Sequence, residues 1–132
     1  MSDPALALQG AIFAALTAAP ALAGGRVYDD VPEDAAFPYI TIGDGDTVGE
    51  SNPCWDATEV NVQIDAWSRA PGFPEVKALA AVIRRRLAVE FAIPGFRIPH
   101  AEHVLTQYLR DPDGITRRAR MQFRYLVDHD QA

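Results

Sequence analysis

The spacing of apolar residues divides the chain into two helical stretches and several extended ones. Leu8, Ile12 and Leu16 recur every four residues, with Ala5 in register before them, which places one buried stripe along a helix. Ser2-Asp3-Pro4 supplies a capping side chain and a first-turn proline, and Pro20 ends the helix at or before Ala19. A second stripe, Val76, Leu79, Ala80, Ile83 and Leu87, follows Pro74-Glu75, a proline and an acid at favoured helix-start positions. Arg84, Arg85 and Arg86 crowd the end of this helix, where cations complement the dipole.

Between and after the helices the period changes to two. Val60, Val62, Ile64 and Ala66 alternate with Glu59, Asn61, Gln63 and Asp65, a strand with one apolar and one polar face. Arg26 to Tyr28 and Tyr39 to Ile42 read as shorter strands, and Gly43 to Asp56, rich in glycine and acids, as a long exposed loop or flaring hairpin tip. Val104 to Leu109 leads through Asp111-Pro112-Asp113-Gly114, a strong turn signal, into a final strand. That strand carries Ala119, Met121, Phe123, Tyr125 and Val127 on one face and Arg118, Arg120, Gln122, Arg124 and Leu126 on the other. Helix, strands, helix and hairpin joined by short turns predict an α+β domain. Its sheet is mostly antiparallel, with two helices packed on one face and a long C-terminal hairpin. One domain over residues 1–132 suits the length.

Composition adds less. The apolar stretch Ala11 to Ala23 resembles a secretory leader, but it has no basic residues before it and contains Pro20. It is also shorter than the ~20 apolar residues of a membrane span. It reads as an amphipathic helix of the domain, and no membrane partner is expected. The net charge of −6 disfavours tight binding of free DNA. The charge is segregated: residues 1–75 hold two arginines against twelve acids, and residues 76–132 hold ten cations against six acids. Cys54 is the only cysteine, which rules out an internal disulfide, and it reads as a small apolar residue.

No stretch carries a recognisable catalytic or cofactor motif, and neither a cofactor nor a metal is expected. His100 and His103 on a strand fall on opposite faces, the wrong arrangement for one metal. Asp44, Asp46 and Glu50 suggest a calcium loop, but Val48 and Trp55 occupy required ligand positions. Asp111 and Asp113 are turn formers. The arginines at 84–86, 118, 120 and 124 suit a protein interface.

Three stretches point further. They are Gly25-Arg26-Val27-Tyr28-Asp29 with Phe37-Pro38-Tyr39-Ile40-Thr41-Ile42-Gly43, then Val62-Gln63-Ile64-Asp65-Ala66-Trp67-Ser68-Arg69, then Tyr108-Leu109-Arg110-Asp111-Pro112-Asp113-Gly114. In this order, after an alanine-rich first helix, the chain resembles the tail-completion or tail-terminator family of long-tailed phages and phage-derived gene transfer agents. The resemblance implies a non-enzymatic virion protein assembled in the bacterial cytoplasm. It implies a homo-oligomeric ring, usually of six subunits, at the head-proximal end of the tail tube. Such a ring ends tail growth, contacts the tail tube protein and the head-side connector or stopper, and lets DNA pass only through its lumen. In the ring that the resemblance implies, Arg118, Arg120 and Arg124 would meet acids such as Glu59 and Asp65 on a neighbouring subunit, and Asp44, Asp46, Glu50 and Asp56 would line the lumen or face a partner. A head-side neck or stopper protein and a small ligand-binding domain are the alternatives left open.

Overall fold

The computed structural model describes residues 3–49 and 57–129. Helix α1 spans Ala5–Thr17 and is followed by a short helical turn at Leu22–Gly25 and strand β1, Val27–Tyr28. Strands β2 (Tyr39–Gly49) and β3 (Ala57–Ser68) precede helix α2 (Pro74–Leu87), and β4 (Phe96–Arg110) and β5 (Arg117–His129) close the chain. The strands form one sheet in the order β1-β2-β3-β5-β4, antiparallel except for the β1–β2 pair. This is the α+β architecture expected from the alternating periods.

The core lies between the sheet and the helices. Leu8, Ile12 and Leu16 of α1 and Val76, Ala80, Ile83 and Leu87 of α2 are buried. They meet Ile40, Ile64, Ala66, Met121, Phe123 and Tyr125 from the sheet. The alternation read from the sequence thus sets which face of β3 and β5 turns inward. Asp3 accepts the Ala5 N–H at 2.8 Å, which starts α1 as its sequence indicates. Tyr125, the largest fully buried side chain among the described residues, donates its hydroxyl to the Leu87 carbonyl at 2.6 Å. It thereby satisfies a terminal carbonyl of α2 that the helix itself leaves open, and burial raises the Tyr125 pKa.

Two expectations need correction, and a third is decided between its alternatives. Of Gly43 to Asp56, expected as an exposed loop or a flaring hairpin tip, the described part takes the hairpin form: β2 continues to Gly49 against Thr58–Val62, with an irregularity between Ile42 and Gly45, and residues 50–56 lie outside the described residues. Gly45 is required there, because a Cβ would collide with the Asn61 carbonyl. Strand β4 begins at Phe96, well before Val104, and register shifts at Arg97/His100 and His103/Leu105 obscure its alternation. Helix α1 is not amphipathic, since Leu6 is 80 % exposed and Phe13 46 % exposed on its solvent side.

Candidate functional site

The face of the sheet turned away from the helices is a charged lattice built by register. On β3 it carries Glu59, Asn61, Gln63, Asp65 and Trp67, and on β5 Arg118, Arg120, Gln122 and Arg124. Antiparallel pairing sets Asp65 opposite Arg120, Trp67 opposite Arg118 and Asn61 opposite Arg124. Long arginine side chains then reach diagonally to acids one pair away. Arg118 donates to Asp65 at 2.7 Å, and its guanidinium lies 4.7 Å from the Trp67 ring centre. Arg124 bonds Glu102 of β4 and lies 3.8 Å from Glu59. Arg120 donates to the Gln63 amide oxygen at 3.3 Å.

The structure therefore brings Arg118 together with Asp65 and Arg124 with Glu59 within one chain, pairs expected across neighbouring subunits. Asp65 is 4 % exposed, more buried than a polar strand face implies. Besides Arg118 it accepts the Gln63 amide at 3.2 Å, so its charge is paired and hydrogen-bonded as a buried carboxylate requires. Arg118 and Arg124 thus have acid partners in their own chain, while Arg120 bonds the neutral Gln63 amide.

Aromatic residues extend the lattice toward β2. Tyr39 stacks on Trp67 with ring centres 6.1 Å apart, and Phe37 and Tyr28 pack on Tyr39. Arg69 covers the Phe37 ring at 4.3 Å. Reading β5 alone misses these rings, because they come from neighbouring strands of the same face. Of the acidic set, Asp44 and Asp46 lie on the exposed half of β2, and Asp46 accepts the Asn61 amide at 2.7 Å. Glu50, Asp56 and Cys54 lie outside the described residues. Asp44, Asp46 and Arg124 border one open groove of about 360 Å³ on the outer face.

The remaining candidates resolve into structural roles. Arg86 turns onto its own chain, donating to the carbonyls of Ala15, Ala18 and Pro20 at 3.0, 3.0 and 2.6 Å. It caps the end of α1 across 66 to 71 residues of sequence. A three-arginine run gives no local sign of this, since the contact depends on α1 and α2 lying side by side. His100 meets Glu102 at 3.3 Å on the outer face. Hydrogen bonding with His100 and then Arg124 lowers the Glu102 pKa. His103 turns to the opposite side, edge-on to Phe123 and 2.6 Å from the Thr106 hydroxyl. Burial, and then Arg84, lower its pKa. Asp113 accepts the Thr116 hydroxyl and the Ile115 and Thr116 N–H groups. These bonds hold its pKa at about 2 and fix the turn between β4 and β5. Among the described residues, no group of three His, Cys, Asp or Glu side chains is placed to hold a metal ion.

The chain matches the family model described as tail completion protein gp17 over residues 10–128. The chain belongs to the tail completion protein gp17 family. The matched range runs from within α1 almost to the end of β5, so the charged face lies wholly inside the part that defines the family. No curated protein sequence matches the chain. Among solved structures it is similar to a chain of the virion of a native gene transfer agent (GTA) particle. The two are 26 % identical, with a TM-score of 0.86, over 97 % of this chain and 99 % of that one. Among the described residues, no helix of the chain is long and apolar enough to cross a membrane.

Proposed function

We propose that this tail completion protein is a structural virion component that assembles into a ring at the head-proximal end of a tail tube. There it ends tube growth and joins the tail to the head-side connector. The observation that carries this reading is the end-to-end similarity to a chain of a gene transfer agent virion, at a TM-score of 0.86. The role needs contact surfaces rather than catalysis, and the charged sheet face is one such surface. Arg118 and Arg124 are held in place by Asp65, Glu59 and Glu102 of their own chain. That ordering leaves Arg120, which among the described residues bonds only the neutral Gln63 amide, to meet acids of a neighbouring subunit. Asp44 and Asp46, with Glu50 and Asp56 beyond them in sequence, would line the lumen or a partner surface and keep passing DNA from adhering.

The test is a producing strain that lacks the protein. The reading predicts heads and tails that stay unjoined, or tails of uncontrolled length, and a wild-type copy restores joined particles. Normal, full-length, joined particles in that strain contradict it. Complementation with the variant Arg120→Glu, at a position without an acid partner among the described residues of its own chain, separates the surface from the fold. The isolated variant should keep a wild-type circular dichroism spectrum and fail to restore joining. Wild-type joining by that variant removes the charged face from the interface.

A further inference from the structure

Two sides of the molecule are unfinished, and they complement each other. On one side, among the described residues, β1 pairs only with Ile40 and Thr41, so β2 presents an open backbone edge from Gly43 to Gly49. Helix α1 overlies this side. It packs on β1, and Asp3 before it accepts the Thr47 hydroxyl of β2 at 3.1 Å. The solvent side of α1 carries Leu6 and Phe13 in the open. On the opposite side, β4 is the other edge of the sheet. It exposes Val104, Leu105, Tyr108 and Leu109, with Val104 50 % accessible. Open strand edges bordered by apolar side chains are surfaces that folded proteins normally blunt or cover.

We infer that a second copy of this chain covers each side: the open β2 edge and α1 face of one subunit receive the β4 edge of the next. Three observations favour a copy of the same chain over another partner. The charges are complementary. The open part of β2 has Asp44 and Asp46 and no cation, while β4 has Arg110 and Arg97, the latter also meeting Asp128 of its own chain, against one acid, Glu102. The apolar sets match in kind, aliphatic and aromatic on both sides. The strand directions also agree. β2, β3, β5 and β4 alternate, so β2 and β4 run oppositely. Copies set side by side in the same orientation therefore continue an antiparallel sheet across the junction, the more stable pairing. The two surfaces differ, so the contact is head-to-tail and generates a closed ring when the rotation permits. The inference rests on the ring reading above and names the surfaces that close the ring.

Cysteine crosslinking tests it in assembled particles. Val48→Cys, in a Cys54→Ser background, is combined in turn with His100→Cys, Glu102→Cys, Leu105→Cys, Gln107→Cys or Leu109→Cys. All these positions lie on the outer face. Within one chain β2 and β4 are three strand spacings apart, roughly 14 Å. That exceeds the ~7 Å a disulfide spans between Cα atoms, so any bond formed joins two subunits. The expected result is a ladder of disulfide-linked multimers at one or two neighbouring β4 positions, absent from each single-cysteine variant. Rings that assemble yet give no ladder at any position overturn this inference and leave the ring reading standing. So does a crosslink from position 48 to a different virion protein. Particles that contain this chain with no ring of it overturn the ring reading, and this inference with it. Phe13→Glu provides a second readout. It should leave the monomer folded and reduce incorporation at least tenfold, and wild-type incorporation removes α1 from the contact.

Discussion

The Arg118–Asp65 pair is the part of the charged face whose energetics are most constrained. The side chains are 28 % and 6 % exposed, and the bond is 2.7 Å long. Replacing Arg118 with methionine keeps much of the packing on Trp67 but leaves Asp65 buried with only the Gln63 amide as partner. Breaking a buried pair by removing one member costs ~3–5 kcal/mol. The remaining amide and the partial exposure of Arg118 reduce this to about 2–3 kcal/mol. For a chain of this length, an unfolding entropy of about 2 cal/mol/K per residue converts that loss into a Tm lowered by roughly 7–11 °C. Differential scanning calorimetry at pH 7 measures it. Arg118→Lys keeps the charge but loses the planar contact with Trp67 and should lose about 1 kcal/mol. In the double variant Arg118→Met, Asp65→Asn no charge is left to strand. The double loss should then fall short of the summed single losses by at least ~1 kcal/mol. Arg118→Met within about 0.5 kcal/mol of wild type, or strict additivity in the cycle, refutes the claim that this pair orders the face.

Three further outcomes follow from single contacts. Arg86→Met removes the guanidinium that bonds three carbonyls at the end of α1. It should cost about 1.5–3 kcal/mol by urea unfolding, with hydrogen exchange of α1 rising most; a change confined to α2 would contradict the capping role. Gly45→Ala forces a methyl against the Asn61 carbonyl and should destabilise by ~1–3 kcal/mol, whereas Gly49→Ala, with open space around it, should be nearly neutral. The folded-state pKa of His103 lies below its ordinary value of 6.5. The unfolded chain therefore binds the proton first, and the stabilisation present above pH 6.5 is lost as pH falls through that value toward the folded one. The Tm of wild type should thus drop more steeply between pH 7 and pH 5.5 than that of His103→Gln, and parallel curves would show that His103 is not held neutral.

Most of the fold is visible in the sequence because burial follows a period. The stripes of both helices and the alternation of β3 and β5 identify residues that are in fact buried, including Ile64, Met121 and Leu87. The misread segments are those where the period fails. In β2 beyond Ile42 no residue is buried, so no alternation marks the strand. In β4 two register shifts break the pattern, and the edge position leaves most side chains accessible. The charged face is legible as a list of residues but not as a set of contacts. Arg118 and Asp65 are 53 residues apart in sequence, and only strand order places them together. Arg86 is missed for the same reason. The exposed apolar face of α1 escapes for the reverse reason, since alanine-rich helices look amphipathic once one buried stripe is found.

A reconstruction of the intact particle tests the central claim most directly. The account predicts density for this chain as a closed ring between the last ring of the tail tube and the head-side connector. Neighbouring copies should meet along the β2 and β4 edges. Density that places the chain on the head side of the connector, or as isolated copies away from the end of the tube, contradicts it.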